Sequence, residues 1–134
     1  MEPFPETIIA SGPVIIENGK VLLNREQKDY GITPWLFPGG KLEYSDEDIE
    51  LACKREVKEE MGIEIKIIKQ LQTITSEQRG KKYVLHHFLA ERIGEIKPAE
   101  DIVDWGWFDI HNLPQNCAPN VTKIIADLRL QNAE

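Results

Sequence analysis

The sequence contains little cysteine and no long apolar run. Its 134 residues include only Cys53 and Cys117, and neither belongs to a CxxC pair or to a Cys/His cluster with zinc spacing. We therefore expect two free thiols in a reducing compartment. No apolar run approaches the roughly 20 residues of a membrane-spanning helix. The first residues, MEPFPE, lack the basic and apolar segments of a signal peptide. These absences predict a cytoplasmic protein with no membrane partner.

Positive charge is also scarce. Sixteen lysines and arginines stand against 23 aspartates and glutamates, which gives a formal net charge of -7. This balance argues against binding to a nucleic acid polymer, because such proteins present a basic surface. It is compatible with a small phosphorylated ligand, because a bound cation reverses the local field. The length predicts one domain over residues 1–134, with residues 1–6 loosely ordered. A homodimer is compatible with the sequence.

Apolar runs and turn residues alternate along the chain, and the strongest turn signal is Asn18-Gly19 between two apolar runs. Amphipathic helices are predicted at 48–61 and 121–130. Gly62 suits the left-handed residue that ends the first helix, and Ser45, Asp46 and Asp48 compete for its N-cap. Strands are predicted at about 7–16, 20–25, 35–37, 63–75, 83–90 and 103–108. The order of elements predicts an α/β domain, a mixed β-sheet with helices on both faces.

The first predicted helix carries carboxylates on its apolar side. A glutamate- and lysine-rich helix usually faces solvent and forms i,i+4 ion pairs. On a helical wheel, however, Glu56 and Glu60 fall within the apolar stripe, whereas Arg55 can pair with Glu59. The stripe is formed by Ile49, Ala52, Cys53 and Val57.

Buried carboxylates must be neutralised, paired or bound to a metal ion, because an isolated buried charge costs several kcal/mol. Oxygen ligands suit a hard divalent cation, Mg²⁺ or Mn²⁺, and Mg²⁺ is often shared with substrate phosphates. Before the helix, Gly39-Gly40 lets the backbone turn and leaves room for a ligand. The pattern therefore predicts phosphoryl chemistry on a small phosphorylated substrate.

At these residues the sequence resembles the Nudix hydrolase family, whose box reads G-x5-E-x7-R-E-U-x-E-E-x-G-U, with U aliphatic. Six residues rather than five separate Gly40 from Glu47. Alternatively, Asp46 takes the first glutamate position and the extra residue falls before Arg55. Glu47 is preferred because its spacing to Arg55 is intact and a loop absorbs an insertion better than a helix. The matching residues are Trp35, Phe37, Pro38, Gly39, Gly40, Glu47, Arg55, Glu56, Val57, Glu59, Glu60, Gly62 and Ile63.

The resemblance implies a Nudix-type α/β/α sandwich that hydrolyses a nucleoside diphosphate linked to another moiety, by attack of water on phosphorus. It implies that Arg55 orients a glutamate. Glu59 or an acid from a later loop would be the general base, with Glu100 the first candidate and Asp101 the second. The implied ligands of Mg²⁺ are Glu56, Glu59, Glu60 and the Gly40 carbonyl. Gly39, Glu47 and Gly62 would support the box.

Candidate substrate-binding residues are Arg25, Trp35 and Tyr83. Arg25 follows a strand near the expected cleft, and the two aromatic rings could stack on a base, although core packing is the commoner role of such rings. The substrate itself stays open among nucleoside triphosphates, modified deoxynucleoside triphosphates, ADP-ribose-like compounds and dinucleoside polyphosphates. The alternative function is a catalytically inactive Nudix-like domain that senses a nucleotide. Retention of the core glutamates favours an enzyme.

Overall fold

The computed structural model describes residues 6–43 and 46–132, and within these ranges the chain forms eight strands and two helices. Of the predicted loose lead-in, residues 1–5 lie outside the described residues, and Glu6 already belongs to the first strand. No helix in the described part of the chain combines the length and apolar character needed to cross a membrane. The elements are β1 (Glu6–Glu17), β2 (Lys20–Lys28), β3 (Gly31–Ile32), β4 (Gly40–Lys41), α1 (Ile49–Met61), β5 (Glu64–Gln70), β6 (Ile74–Gln78), β7 (Lys81–Ile93), β8 (Ile102–Asp109) and α2 (Pro119–Asn132).

The sheet is mixed, as predicted, because its central pair runs parallel while its other pairs are antiparallel. β1 lies parallel to β7 over ten residue pairs, from Glu6↔Lys81 to Ile15↔Ala90. β5 and β6 both pair with β7, and β4 pairs with β1. β2 leaves β1 after a tight turn at Asn18-Gly19 and pairs with β8 and β3. This arrangement places the turn at Gly40 beside the middle of β1.

Each face of the sheet is covered by one helix. Successive strand side chains point to opposite faces, so Ile15 packs in the core beneath α1 while Val14 packs in the core beneath α2. The α1 core contains Leu22, Cys53, Val57, Met61, Ile63 and Phe88. The α2 core contains Val21, Leu23, Phe37, Val121, Ile124 and Ile125. The predicted α/β/α sandwich is therefore confirmed.

Two predicted strands differ from the structure. The segment 35–37 forms only isolated bridges, Asn24↔Leu36 and Trp35↔Cys117. Flanking Pro34 and Pro38 lack the amide hydrogens that a ladder needs, so no strand extends there. The predicted strand 63–75 is divided into β5 and β6, and a register shift between Ile67 and Lys69 marks the irregular end of β5.

Candidate active site

A cleft of about 1000 Å³ opens beside the turn at Gly39 and Gly40. Small and apolar residues of β1 contribute to its lining, and they lie opposite residues of β7 in the parallel register. Carboxylates of α1 and β2 line the same cleft. These lining residues are Ile8, Ala10, Gly12, Tyr83, Leu85, His87, Glu26, Glu56, Glu59 and Glu60. The cleft thus joins an apolar surface to a concentration of negative charge.

The glycine turn brings the backbone against α1. Gly39 adopts a φ of 144°, which favours glycine, and its N–H donates to Oε1 of Glu60 at 3.3 Å. A β-carbon at Gly40 would collide with the Glu56 carboxylate. The space at Gly40 that was predicted for a ligand is filled by the Glu56 carboxylate, and Gly39 packs closely against the Ser11 carbonyl.

Glu60 is the most deeply buried carboxylate of α1, with 8% of its surface exposed. Burial raises its pKa well above the usual range, and the nearby Glu26 carboxylate adds to the effect. The hydrogen bond from Gly39 opposes it. Burial also raises the pKa of Glu56, although the Arg55 guanidinium counteracts this rise. Both carboxylates therefore lie where a positive charge would be strongly stabilised.

Glu26 was not predicted as a site residue. It lies on β2 with 5% of its surface exposed, lines the cleft, and forms an ion pair with Nζ of Lys28 at 3.2 Å. The signal was strand alternation, because Glu26 shares a face of β2 with Leu22, which belongs to the core beneath α1. Arg25, the neighbour that was predicted, points the other way.

Arg55 holds several carboxylates at once. Its Nε and Nη2 donate to the two oxygens of Asp46 at 2.8 and 2.9 Å, and its Nη1 donates to both oxygens of Glu59 at 3.1 Å. The same Nη1 lies 3.0 Å from Oε1 of Glu56. Hydrogen bonds from Arg55 lower the pKa of Asp46 to about 2, and the bond to Asp46 raises the pKa of Arg55 above its usual value. Arg55 therefore orients Glu56 and Glu59 together.

The preference for Glu47 over Asp46 is corrected by this contact. Glu47 is exposed, whereas Asp46 makes the bidentate pair with Arg55. The reason is local: Asp48 is the N-cap of α1 and accepts from the Leu51 N–H at 2.8 Å, so both earlier residues precede the helix. Asp46 also accepts from the Glu43 N–H at 2.7 Å, which closes a turn. The spacing to Arg55 that favoured Glu47 is therefore not fixed by helix geometry, because residues 46 and 47 precede α1. The competing N-cap candidate Ser45 lies outside the described residues.

Three further predicted site residues do not line the cleft. Arg25 donates to the Thr33 carbonyl at 3.2 Å, and Trp35 packs edge-on against Phe108 in the core. Glu100 is exposed outside the cleft. Of the remaining candidates, Tyr83 and Asp101 line the cleft, and Gly62 ends α1 in the predicted left-handed conformation. The structure therefore favours Asp101 over Glu100, the first candidate.

Among the described residues, no three acidic, histidine or cysteine side chains converge on one point at metal-binding distance. Glu56 and Glu59 are instead directed to Arg55. The donor chemistry nevertheless fits a hard divalent cation, because the candidates supply only oxygen, and the pKa values of buried Glu60 and half-buried Glu56 are both raised. Rotation of the Glu59 side chain away from Arg55 would release a further carboxylate.

Comparison with known proteins connects this geometry to one family. The model of the NUDIX domain matches residues 8–128. The chain is 33% identical over 104 residues to the "Oxidized purine nucleoside triphosphate hydrolase" of Danio rerio, covering 75% of this chain and 65% of that protein, just under two thirds of its length. It is 31% identical over 122 residues to the "ADP-ribose pyrophosphatase" of Methanocaldococcus jannaschii, covering 89% and 71%.

A solved structure gives the same result. The MutT NUDIX hydrolase from Burkholderia pseudomallei superposes with a TM-score of 0.81 at 27% identity, covering 90% of this chain and 97% of that one. The match to the family model spans most of the chain, including the glycine turn and α1. The chain therefore belongs to the NUDIX domain family, as the resemblance in its sequence predicts.

Proposed function

We propose that this chain hydrolyses a pyrophosphate linkage in a nucleoside diphosphate linked to another moiety, with Mg²⁺ or Mn²⁺ as cofactor. The observation that carries the proposal is that buried Glu60 and half-buried Glu56 lie beside a cleft of about 1000 Å³ without a full complement of positive charge. Such carboxylates favour a bound cation. A phosphorylated substrate can share that cation.

The residues have separate roles in this proposal. Glu56, Glu59, Glu60 and the Gly40 carbonyl would hold the ion, which supplies positive charge to the phosphate oxygens when bound. Arg55 orients Glu59 through two hydrogen bonds at 3.1 Å. Glu59 and Asp101 are the candidates for the base that takes a proton from the attacking water, because both line the cleft.

The cleft and the names of the relatives support a purine nucleotide as the proposed substrate class. The two curated relatives are named for an oxidised purine nucleoside triphosphate and for ADP-ribose, which both contain a purine nucleoside and a phosphoanhydride. The apolar residues on β1 and β7 would contact a base, and the carboxylates would hold a metal ion that binds the phosphates. A small purine nucleotide therefore suits the cleft better than a nucleic acid polymer.

A phosphate-release screen tests the proposal. Wild-type protein is incubated with nucleoside triphosphates, ADP-ribose, dinucleoside polyphosphates and nucleotide sugars, with Mg²⁺ and with a chelator. We expect turnover of at least one purine compound that requires the metal ion. Binding of these compounds without turnover of any would overturn the proposal in favour of a nucleotide sensor.

A further inference from the structure

His87 is a buried polar residue that the proposed hydrolysis does not use. It lies on β7 opposite Gly12, with 2% of its surface exposed. Its ring packs edge-to-face with Phe37, and the two ring centroids are 5.6 Å apart. Its Nδ1 lies 2.8 Å from the Gln72 carbonyl oxygen, and its Nε2 lies 3.0 Å from Nδ2 of Asn120. A buried ring with both nitrogens engaged is fixed in orientation.

The partner at Nδ1 determines which nitrogen carries the proton. A carbonyl oxygen only accepts hydrogen bonds, so Nδ1 of His87 must be the donor to Gln72. Burial lowers the pKa of His87 and favours the neutral ring. In the neutral ring the second nitrogen, Nε2, carries a lone pair and accepts.

The state of Nε2 in turn fixes the amide of Asn120. Only the NH₂ group of Asn120 can donate to a lone pair, so Nδ2 faces His87 and the carbonyl oxygen Oδ1 faces away from it. Asn120 is half-buried at the start of α2 and lines the cleft. Within residues 6–43 and 46–132, its side chain makes no other hydrogen bond. Oδ1 is therefore free to accept one.

We propose that His87 is a specificity-determining positioning residue, which orients the Asn120 amide so that Oδ1 accepts a hydrogen bond from an amino group of the substrate base. The inference rests on the proposed function, because it assigns the base of that nucleotide to the part of the cleft beside Asn120. Without His87, the amide rotates and presents donor and acceptor alike. A base that carries a donor and one that lacks it then bind equally.

The size of the effect follows from one neutral hydrogen bond. Such a bond contributes about 0.5–1.5 kcal/mol, which is roughly a 2- to 13-fold difference in affinity. We therefore expect a nucleoside with the amino group to bind several-fold more tightly than its analogue without it. The bond concerns the base alone, so the preference does not depend on phosphate or metal.

Free nucleosides test the inference without requiring hydrolysis. Adenosine is compared with purine riboside, which lacks the 6-amino group, and guanosine with inosine, which lacks the 2-amino group. Dissociation constants are measured by NMR titration of the full chain, with long-range ¹H–¹⁵N spectra reporting the His87 tautomer and the Asn120 side-chain amide. We expect a protonated Nδ1, a shift of the amide on binding, and a several-fold preference for an amino-bearing nucleoside.

Two variants of His87 provide the matched comparison. In His87→Asn the amide reaches the position of Nδ1 and keeps the Gln72 contact, but nothing faces Asn120, so the preference should fall to about one. In His87→Gln the amide reaches the position of Nε2 and can accept from Asn120, so part of the preference should return. Thermal melts confirm that each variant is folded, and phosphate release should show a raised KM with little change in kcat.

The outcomes separate the two proposals. A wild-type protein that binds neither nucleoside, or binds both members of each pair equally, would overturn the role of His87. So would a preference that is unchanged in His87→Asn, or an unprotonated Nδ1. Absence of metal-dependent turnover, with the nucleoside preference intact, would instead refute the hydrolase and leave the positioning role standing.

Discussion

Glu60→Gln removes a buried ionisable carboxyl group and keeps both the volume of the side chain and an acceptor for the Gly39 N–H. The wild-type carboxylate is 8% exposed, and burial together with Glu26 raises its pKa. Because the folded pKa lies above the unfolded one, the metal-free fold favours the protonated form. Stability is unaffected below the unfolded pKa of about 4.3 and declines as the pH rises through the folded pKa.

The pH dependence of stability is limited because only one proton is involved. The free energy of unfolding changes by at most about 1.4 kcal/mol per pH unit, so the wild type should lose up to about 3 kcal/mol of stability relative to the variant between pH 5 and pH 7. The positive charge of Lys28, near Glu26 and Glu60, offsets part of this loss. For a domain of this size, each kcal/mol shifts Tm by roughly 3–5 °C. We expect a gain of about 1–3 kcal/mol for Glu60→Gln at pH 7.

The assay is a series of thermal melts in chelator across this pH range, paired with phosphate release in Mg²⁺. Activity of the variant should fall by about 100-fold or more, since the bound cation supplies several kcal/mol. Glu59→Gln is the control for stability, because its side chain is 57% exposed and its pair with Arg55 contributes no more than about 1 kcal/mol. The reasoning would be refuted if the Tm of wild type and of Glu60→Gln changed equally with pH. It would also be refuted if Glu60→Gln kept full turnover with an unchanged metal requirement.

Three other predictions concern the surroundings of the site. Asp46→Asn should lower activity and remove the acid-dependent loss of stability that the wild type shows as the pH falls from about 4 toward 2, because the folded pKa of Asp46 is depressed to about 2, whereas Glu47→Gln should leave both assays unchanged. Gly40→Ala should abolish Mg²⁺ binding by calorimetry, because its β-carbon collides with the carboxylate of Glu56, a proposed metal ligand, whereas Gly106→Ala meets only ordinary contacts and should bind normally. Arg25→Lys should lower Tm by about 1–3 °C without changing KM, because the Arg25 guanidinium bonds to a backbone carbonyl outside the cleft; a several-fold rise in KM would return it to the substrate site.

Sequence patterns predicted the structure correctly where a single helix, strand or turn determines the position of a residue. Glu60 falls on the apolar stripe of a continuous helix, and the structure buries it because a helix fixes the direction of every side chain. The sandwich followed similarly from the order of strands and helices. The turn at Asn18-Gly19 followed from two residues that tolerate positive φ.

Contacts between separate helices, strands and loops could not be predicted from such local patterns. Asp46 is selected by a loop turn, and Glu26 joins the site because β2 lies against the end of α1. The pairing of His87 with Asn120 spans 33 positions and depends on how α2 packs on the sheet. Trp35 was equally ambiguous, because its packing on Phe108 is decided by tertiary contact and not by its neighbours in sequence.

The guanidinium of Arg55 has a consequence for how a metal ion would load. In the fold its single positive charge already pairs with Asp46, Glu56 and Glu59, so one resident cation holds these three carboxylates together. If Glu56 and Glu59 hold the ion as proposed, metal entry would be an exchange, in which these two carboxylates leave one cation for another while Asp46 still pairs with Arg55. Under the proposed function, a metal affinity measured for this chain would therefore include the free-energy cost of displacing Arg55 from Glu56 and Glu59.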